Sequence, residues 1–261
     1  MKGMNILVCV KQVPDSADTI TISEDSSRIV YDKGTVFRLN RYDEFAIEEA
    51  LRIKEHFSGS RVDAVSVGPG RVIQAVRKAM ETGVDYGIHI RVETEEYLSP
   101  SARASLIAHY ACTKGYDLVL TGIMAEDDME CQVGQILSEK LSYSCATAVM
   151  VQRIAEDEKS IYVEREIEGG VRECITLAMP AVLTVQSRIN TPRYPSLSNV
   201  LRARNQEIEV IEPHGTDVIF ADQSIVGLGY PEDAATGEFL KGSSSDKAGT
   251  LLGILHELSI V

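Results

Sequence analysis

The sequence predicts an α/β fold: a doubly wound, mostly parallel sheet with an antiparallel edge and a C-terminal arm. Three observations lead there. Short apolar runs alternate with helix-period segments up to about residue 150. The alternation then gives way to consecutive strand-like runs with no helix between them. The final stretch has no room for a core of its own, yet it ends in an apolar amphipathic helix.

Taken in order, NILVCV (5–10) is the first strand, an apolar run of strand length. TITIS and RIVYD (19–23 and 28–32) read as a β-hairpin excursion. DEFAIEEALRIKEHF is an amphipathic helix with Phe45, Ile47, Ala50, Leu51 and Ile53 inward. VDAVSVG is a buried strand, and PGRVIQAVRKAMETG a helix with proline near its start and glycine after its end. GIHIRV, PSARASLIAHYACTKG and DLVLTG repeat the unit, and a further helix pattern opens at Gln132. Such a βαβα series builds a parallel sheet, because parallel neighbours need a crossover that a helix supplies.

CATAVMV then leads into SIYVEREIEGGVRECITLAMPAVLTVQ, where Glu168-Gly169-Gly170 turns between two alternating runs. With no helix between them, these strands are expected to pair antiparallel at one edge. RINTPRYPSLSNVLRARNQEIEVI (188–211) is an exposed proline-bearing loop followed by a short basic helix or turn. After GYPEDAATGEF and KGSSSD comes the helix DKAGTLLGILHELSIV. Its apolar face of Leu251, Leu252, Ile254, Leu255 and Leu258 has to be buried, on a partner subunit or on its own domain.

Composition narrows the function classes. Apolar residues make up 44% and charged residues 25% of 261, the balance of an ordinary folded protein. The longest apolar runs, ILVCV and AVLTV, fall short of the roughly 20 residues that cross a bilayer. MKGMNILVCVKQ lacks the features of a signal peptide, so a cytoplasmic location is expected, or the mitochondrial matrix in a eukaryote. Five cysteines (Cys9, Cys112, Cys131, Cys145, Cys174) form no CxxC pair, and the five histidines show no HxxxH spacing. Reduced thiols and no zinc or iron–sulfur signature follow. The net charge of −13 argues against nucleic-acid binding, which demands a basic surface.

In a doubly wound sheet, ligands sit beyond the carboxyl ends of the strands where strand order reverses. CVKQVPD, SVGPGR and TGIMAEDDMECQVGQ all end strands at that side. The last passes Glu126, Asp127, Asp128 and Glu130 before a helix N-terminus, where free N–H groups can hold a phosphate. No GxGxxG or Walker lysine motif is present. The acids have three readings at this level: a solvated helix entry, worth about 0.3–1 kcal/mol per acid; a ribose or adenine partner in Asp127; or a metal site, for which the DxDxDG spacing is missing. No catalytic constellation stands out. Cys9 lies in an apolar strand and reads as a packing residue, and Ser66 beside Gly68 lacks the flanking glycines of a nucleophile elbow. A nucleotide-shaped fold without an acid–base pair suggests carrying a cofactor rather than turning over a substrate.

One segment goes further. VEREIEGGVRECITLAMPAVLT (163–184) fits the pattern V-x-R/K, acidic-Gly turn, E-x-I/L, four residues, P-x-V-L-T. With ILVCVKQVPD, LN-x-x-DEFAIEEALR, SVGPG, DLVLTG with QVGQ, and INTPRYPSLSNVLRAR in the same order, the chain resembles the beta subunit of electron transfer flavoprotein over residues 5–211. The resemblance implies a Rossmann-like domain of adenine-nucleotide-binding type over 1–211, with a recognition loop at 187–200. It implies that 212–261 is a linker and a helix packing on an alpha subunit. That alpha subunit would hold the redox-active FAD of a heterodimer, an electron carrier rather than a classical enzyme. Electrons would pass between acyl-CoA dehydrogenase-type flavoenzymes and a downstream acceptor, such as a membrane quinone reductase.

The beta subunit is implied to bind a second adenine nucleotide: AMP in purely electron-transferring members, a second FAD in electron-bifurcating ones that oxidise NADH. By motif match that site comprises Cys9, Val10, Asn40, Val67, Gly68, Gly122, Asp127, Gln132, Val133, Gly134 and Gln135. In the recognition loop the resemblance implies that Ile189 inserts into the dehydrogenase, flanked by Asn190, Pro192, Arg193 and Tyr194, the prolines holding the loop extended. The chain departs from the family at Asn40-Arg41, where N-P is usual, and at Glu130, where many members carry threonine or cysteine. A glutamate beside a diphosphate is electrostatically unfavourable where a hydroxyl would donate, so AMP is expected over a second FAD. A stand-alone adenine-nucleotide module of the same fold is the alternative from another class.

Overall fold

The computed structural model describes residues 3–94, 97–213, 223–231, 237 and 239–260. Much of the expected linker, with His214, lies outside the described residues. Contacts divide the chain into two units, Met1–Gly227 and Leu228–Val261.

In the first unit the chain runs through β1 (Asn5–Cys9), β2 (Gln12–Pro14), β3 (Thr21–Ile22), β4 (Ile29–Val30), β5 (Phe37–Leu39), α1 (Arg41–His56), β6 (Arg61–Gly68), α2 (Ile73–Thr82) and β7 (Tyr86–Arg91). It continues through α3 (Pro100–Ala111), β8 (Leu118–Gly122), α4 (Val133–Leu141), β9 (Ser144–Ile154), β10 (Ser160–Glu166), β11 (Arg172–Ala178), β12 (Ala181–Val185), α5 (Leu197–Asn205) and β13 (Glu209–Ile211). The central sheet has the order β11-β10-β9-β12-β8-β1-β6-β7-β13. All neighbours from β9 to β13 pair parallel; β10 joins β9 and β11 antiparallel.

The central strands read as unbroken apolar runs because both faces are covered. Ile6, Val8, Leu118, Leu120, Ala181 and Leu183 pack on one face with residues of α1 and α2. Leu7, Val65, Val119 and Val182 pack on the other with α3 and α4. Helix ends follow local rules: Ser99 and Ser196 cap α3 and α5 through their side chains, and Gly83 at φ 139° ends α2.

The doubly wound α/β architecture is as expected, with two differences. The excursion after β1 holds two small antiparallel pairs, β2 with β5 and β3 with β4. AVLTV does not join β10 and β11 at the antiparallel edge: as β12 it runs parallel between β8 and β9, all five residues buried. A pentad with four apolar residues, its one polar side chain, Thr184, accepting the Ala148 N–H, suits a strand covered on both faces, whereas the alternating β10 and β11 suit an edge.

From β1 the chain winds to β6 and β7, then returns across β1 to β8. Strand order therefore reverses between β1 and β8, and their carboxyl ends diverge into a crevice there.

In the second unit, α6 (Ser244–Glu257) begins with a capping box: Ser243 Oγ accepts the Asp246 N–H, and Asp246 Oδ2 accepts the Ser243 N–H at 2.9 Å. None of its residues is buried, and Leu251, Leu252 and Leu258 are about half exposed or more.

Candidate functional site

The crevice at the reversal is a cleft of about 660 Å³, counting its open mouth. Its floor comes from strand ends: Cys9 of β1 and Val10 just after it, Val65 and Val67 of β6, Thr121 and Gly122 of β8. One wall is α3 with Arg103 and Ile107; the other is the segment 123–134 leading into α4.

Two residues at the start of α1 hold these pieces together. The buried Asp43 carboxylate accepts the Lys11 N–H on Oδ2 at 2.8 Å and the Gly122 N–H on Oδ1 at 3.0 Å, joining the ends of β1 and β8. Burial pushes its pKa up to about 7, against the opposing pull of those N–H groups, Asn40 and Lys11. Asn40 grips the loop: Nδ2 donates to the Met124 carbonyl at 2.9 Å and Oδ1 accepts the Glu126 N–H at 3.2 Å. Gly122 has to be glycine, since a Cβ there would stand 2.5 Å from Asp43 Oδ1 and 2.6 Å from Tyr42 Cβ. Gly134 is equally constrained, 2.4 Å from Thr184 Cγ2, which seats the α4 N-terminus close against β12. The first α4 bond runs from the Ile136 N–H to the Gln132 carbonyl, so the N–H groups of Val133, Gly134 and Gln135 precede the helix's own ladder.

The acids of the loop are half-buried and paired with cations rather than grouped as metal ligands. Glu126 pairs with Arg38 at 3.3 Å and Arg41 at 3.6 Å. Lys11 Nζ lies 2.6 Å from both Asp127 Oδ1 and Asp128 Oδ2, and Arg103 Nη1 lies 3.0 Å from Asp128. Burial pushes Asp128 up, but Lys11 and Arg103 outweigh it and hold the carboxyl below its ordinary range. Glu130 accepts the Tyr97 hydroxyl; its Oε2 is buried 3.9 Å from Arg103 without a hydrogen bond. Burial and that carboxylate push the Tyr97 phenol up to about 12. Met129 and Cys131, on either side of Glu130, have φ of 51° and 56°, a backbone held out of the ordinary regions by its contacts. Among the described residues no group of three or more His, Cys, Asp and Glu could hold a metal ion.

Of the eleven residues expected in a nucleotide site, Cys9, Val10, Asn40, Val67, Gly122, Gln132, Val133 and Gly134 line this cleft. Asp127 lies behind it, bonded to Lys11. Gly68 sits past Val67, its carbonyl facing His89 Nε2 at 2.9 Å, and exposed Gln135 donates to the Cys131 carbonyl at 2.7 Å. Sequence reasoning missed Lys11, Asp43 and Arg103, and it named Asp128 among the loop acids without a role at the site. Of the three missed residues only Lys11 carried a signal, as the first charge after an apolar strand. Burial and the Asp43 charge raise the Cys9 thiol well above its ordinary value, so it stays unreactive.

A second candidate surface is the loop before α5. Arg193 binds Glu48 twice, Nε to Oε2 at 2.7 Å and Nη2 to Oε1 at 2.9 Å, and also reaches Glu55. Asn190 Nδ2 donates to Glu49 at 2.8 Å and to the Phe45 carbonyl at 3.0 Å. On the far side Arg202 donates to the carbonyls of Met80 and Val84. Between these anchors Tyr194 is 95% and Leu197 76% exposed, whereas Ile189 is partly buried against the core.

Among the described residues no helix is long and apolar enough to cross a membrane. The sequence pattern of the family described as "Electron transfer flavoprotein domain" matches residues 28–215. "Electron transfer flavoprotein subunit beta" of Homo sapiens is 35% identical over 240 residues, 91% of this chain and 92% of that one. The protein of the same name from Dictyostelium discoideum is 35% identical over 216 residues, 83% and 84% of the two chains. "Electron transfer flavoprotein subunit beta, mitochondrial" of Oryza sativa subsp. japonica is 32% identical over 240 residues, 91% and 93%. On this extent of similarity the chain belongs to the electron transfer flavoprotein beta-subunit family.

Proposed function

We propose that the chain is the beta subunit of a heterodimer that carries electrons from acyl-CoA dehydrogenase-type flavoenzymes to a downstream acceptor, a membrane quinone reductase being one candidate. FAD held mainly by the alpha subunit supplies the electron-accepting and electron-donating chemistry. In this reading α6 and the segment before it pack on that alpha subunit, and the exposed apolar side chains of α6 support it.

The cleft at the strand reversal carries the nucleotide part of the reading, and AMP is its ligand. Three backbone N–H groups at the start of α4 suit a single phosphate, Gly134 lets that helix start sit close against β12, and Lys11 and Arg103 supply positive charge. The buried, unbonded Oε2 of Glu130 opposes a second phosphate at the mouth, which favours AMP over the second FAD of a bifurcating protein. Acid extraction of the purified heterodimer, with chromatography of the released nucleotides, is the test. One FAD and one AMP per heterodimer are expected; two FADs with rapid NADH oxidation would establish the bifurcating function instead.

For docking to the dehydrogenase we reassign the inserting residue. Ile189 is engaged with the core, and Leu197, held out between the Arg193 and Arg202 anchors with Tyr194 beside it, is the side chain available to enter a partner pocket.

A further inference from the structure

We propose that Asp43 is the positioning residue of the nucleotide cleft, its one carboxylate setting the separation of the β1 and β8 ends between which the ligand enters. The inference rests on the cleft binding an adenine nucleotide. Asp43 takes one backbone N–H from each end: Lys11 on Oδ2 at 2.8 Å, Gly122 on Oδ1 at 3.0 Å. These strands pair in register lower down, Ile6 with Leu118 through Val8 with Leu120. Beyond Val8 that ladder has stopped, and the carboxylate spans the gap. Gly122 packs so close that no Cβ fits between it and Asp43. The same turn of α1 carries Asn40, which fixes the loop wall, so the floor and one wall share one support.

The geometry makes the site sensitive to a proton. An ionised carboxylate accepts at both oxygens, whereas a protonated one sets an O–H against an N–H and breaks the tie between the two strand ends. The ionisable groups facing Asp43 are Cys9 and Lys11, at the end of β1. Asp127 and Asp128 of the loop and Arg103 of α3 reach the cleft through Lys11 and each other. Burial raises Asp43 to about 7, so the ionised form gives way as the medium turns mildly acid. Nucleotide binding, which needs both ends held, draws Asp43 toward its ionised form.

The test compares nucleotide-stripped wild-type and Asp43→Asn heterodimers for AMP affinity by calorimetry between pH 5.5 and 8.5. At the alkaline end Asp43→Asn should bind about tenfold more weakly, the usual net effect of one hydrogen bond lost and one donor opposed. The wild-type advantage should shrink toward nothing at the acid end. The AMP phosphate titrates in both proteins and cancels from the ratio. A ratio that stays constant with pH, or equal affinities at pH 8.5, overturns the proposal. If Asp43→Asn does not fold, the wild type decides alone. At pH 7.5 the AMP phosphate is already ionised, so binding compared in two buffers of different ionisation enthalpy should release a fraction of a proton from the protein, and no release overturns the proposal. A wild type that binds no AMP at any pH refutes the nucleotide reading itself; AMP binding with a flat ratio refutes only the role of Asp43.

Discussion

Truncating Leu197 separates docking from folding. Fully burying a leucine is worth about 1.5–3 kcal/mol, and 76% of Leu197 is exposed before any partner arrives. Roughly three quarters of that burial, about 1.1–2.3 kcal/mol, is then available only in the complex. At about 1.4 kcal/mol per factor of ten, Leu197→Ala should raise the KM for the carrier in a dehydrogenase assay by about 6- to 50-fold. The kcat should hold, because the nucleotide cleft and its supports are unchanged, and stability should move by no more than about 0.5 kcal/mol, as for other surface positions. Ile189→Ala should do the reverse: a loss of about 1–3 kcal/mol in stability from a partly filled core site, with the KM nearly unchanged. The assay is steady-state reduction of the carrier by its dehydrogenase, with thermal melts of the same preparations. An unchanged KM for Leu197→Ala, or a melting loss that parallels the kinetic one, would refute the assignment.

Gly134→Ala would put a Cβ 2.4 Å from Thr184 Cγ2 and 3.2 Å from Thr121 Oγ1. The start of α4 must retreat, costing about 1–3 kcal/mol and releasing the nucleotide; Thr184→Ser, which drops that methyl but keeps the hydroxyl that accepts the Ala148 N–H, should rescue both. Full nucleotide content after gel filtration would contradict this. Glu130→Gln should narrow the preference for AMP over ADP about tenfold, a modest share of the ~4 kcal/mol between like charges 4 Å apart at an effective dielectric of 20; an unchanged ratio in calorimetry would clear Glu130 of selecting the ligand. Stability should also report Asp43. Its folded pKa of about 7 lies above the unfolded 3.8, so its contribution is whole below about pH 4 and is lost as pH rises through 7. In denaturant melts without nucleotide, the wild type should therefore lose ground to Asp43→Asn between pH 4 and 7, and a constant difference would show that Asp43 does not titrate there.

Local pattern made most of the fold legible. The apolar runs that became β1, β6, β7 and β8 could be read without a partner, because a strand covered on both faces needs only apolar side chains. AVLTV misled because proximity in sequence suggests a hairpin, and nothing in those five residues says that the chain passes back into the sheet. The backbone of the site was legible for the same local reasons: glycines at Gly122 and Gly134, and a helix pattern opening at Gln132, the residue before α4. Its polar supports were not. Asp43, Glu48 and Glu49 look like the wet face of an acidic helix, yet all three are about 5% exposed. What buries them comes from far along the chain: the end of β8 for Asp43, Arg193 for Glu48, Asn190 and Gln152 for Glu49. A buried acid is satisfied by its tertiary partners, and helical periodicity is silent about those.

The same partners explain how a chain of net charge −13 can offer a site to an anion. Lys11 and Arg103 are flexible side chains that would lose rotamer freedom on closing around a phosphate. Here Asp127, Asp128 and Glu130 already hold them at the cleft. The loop acids therefore act in two opposed ways. They orient the cations in advance, which lowers the ordering cost of binding, and they share the positive charge, which weakens attraction for each further negative charge. A monoanion or dianion that also meets the N–H groups of α4 gains from the first effect and suffers little from the second. A longer chain of phosphates, running past Glu130, has no second helix start to meet and suffers the repulsion in full. In the proposed function, preference for a short anionic group thus follows from how the acids are paired, more than from how many there are.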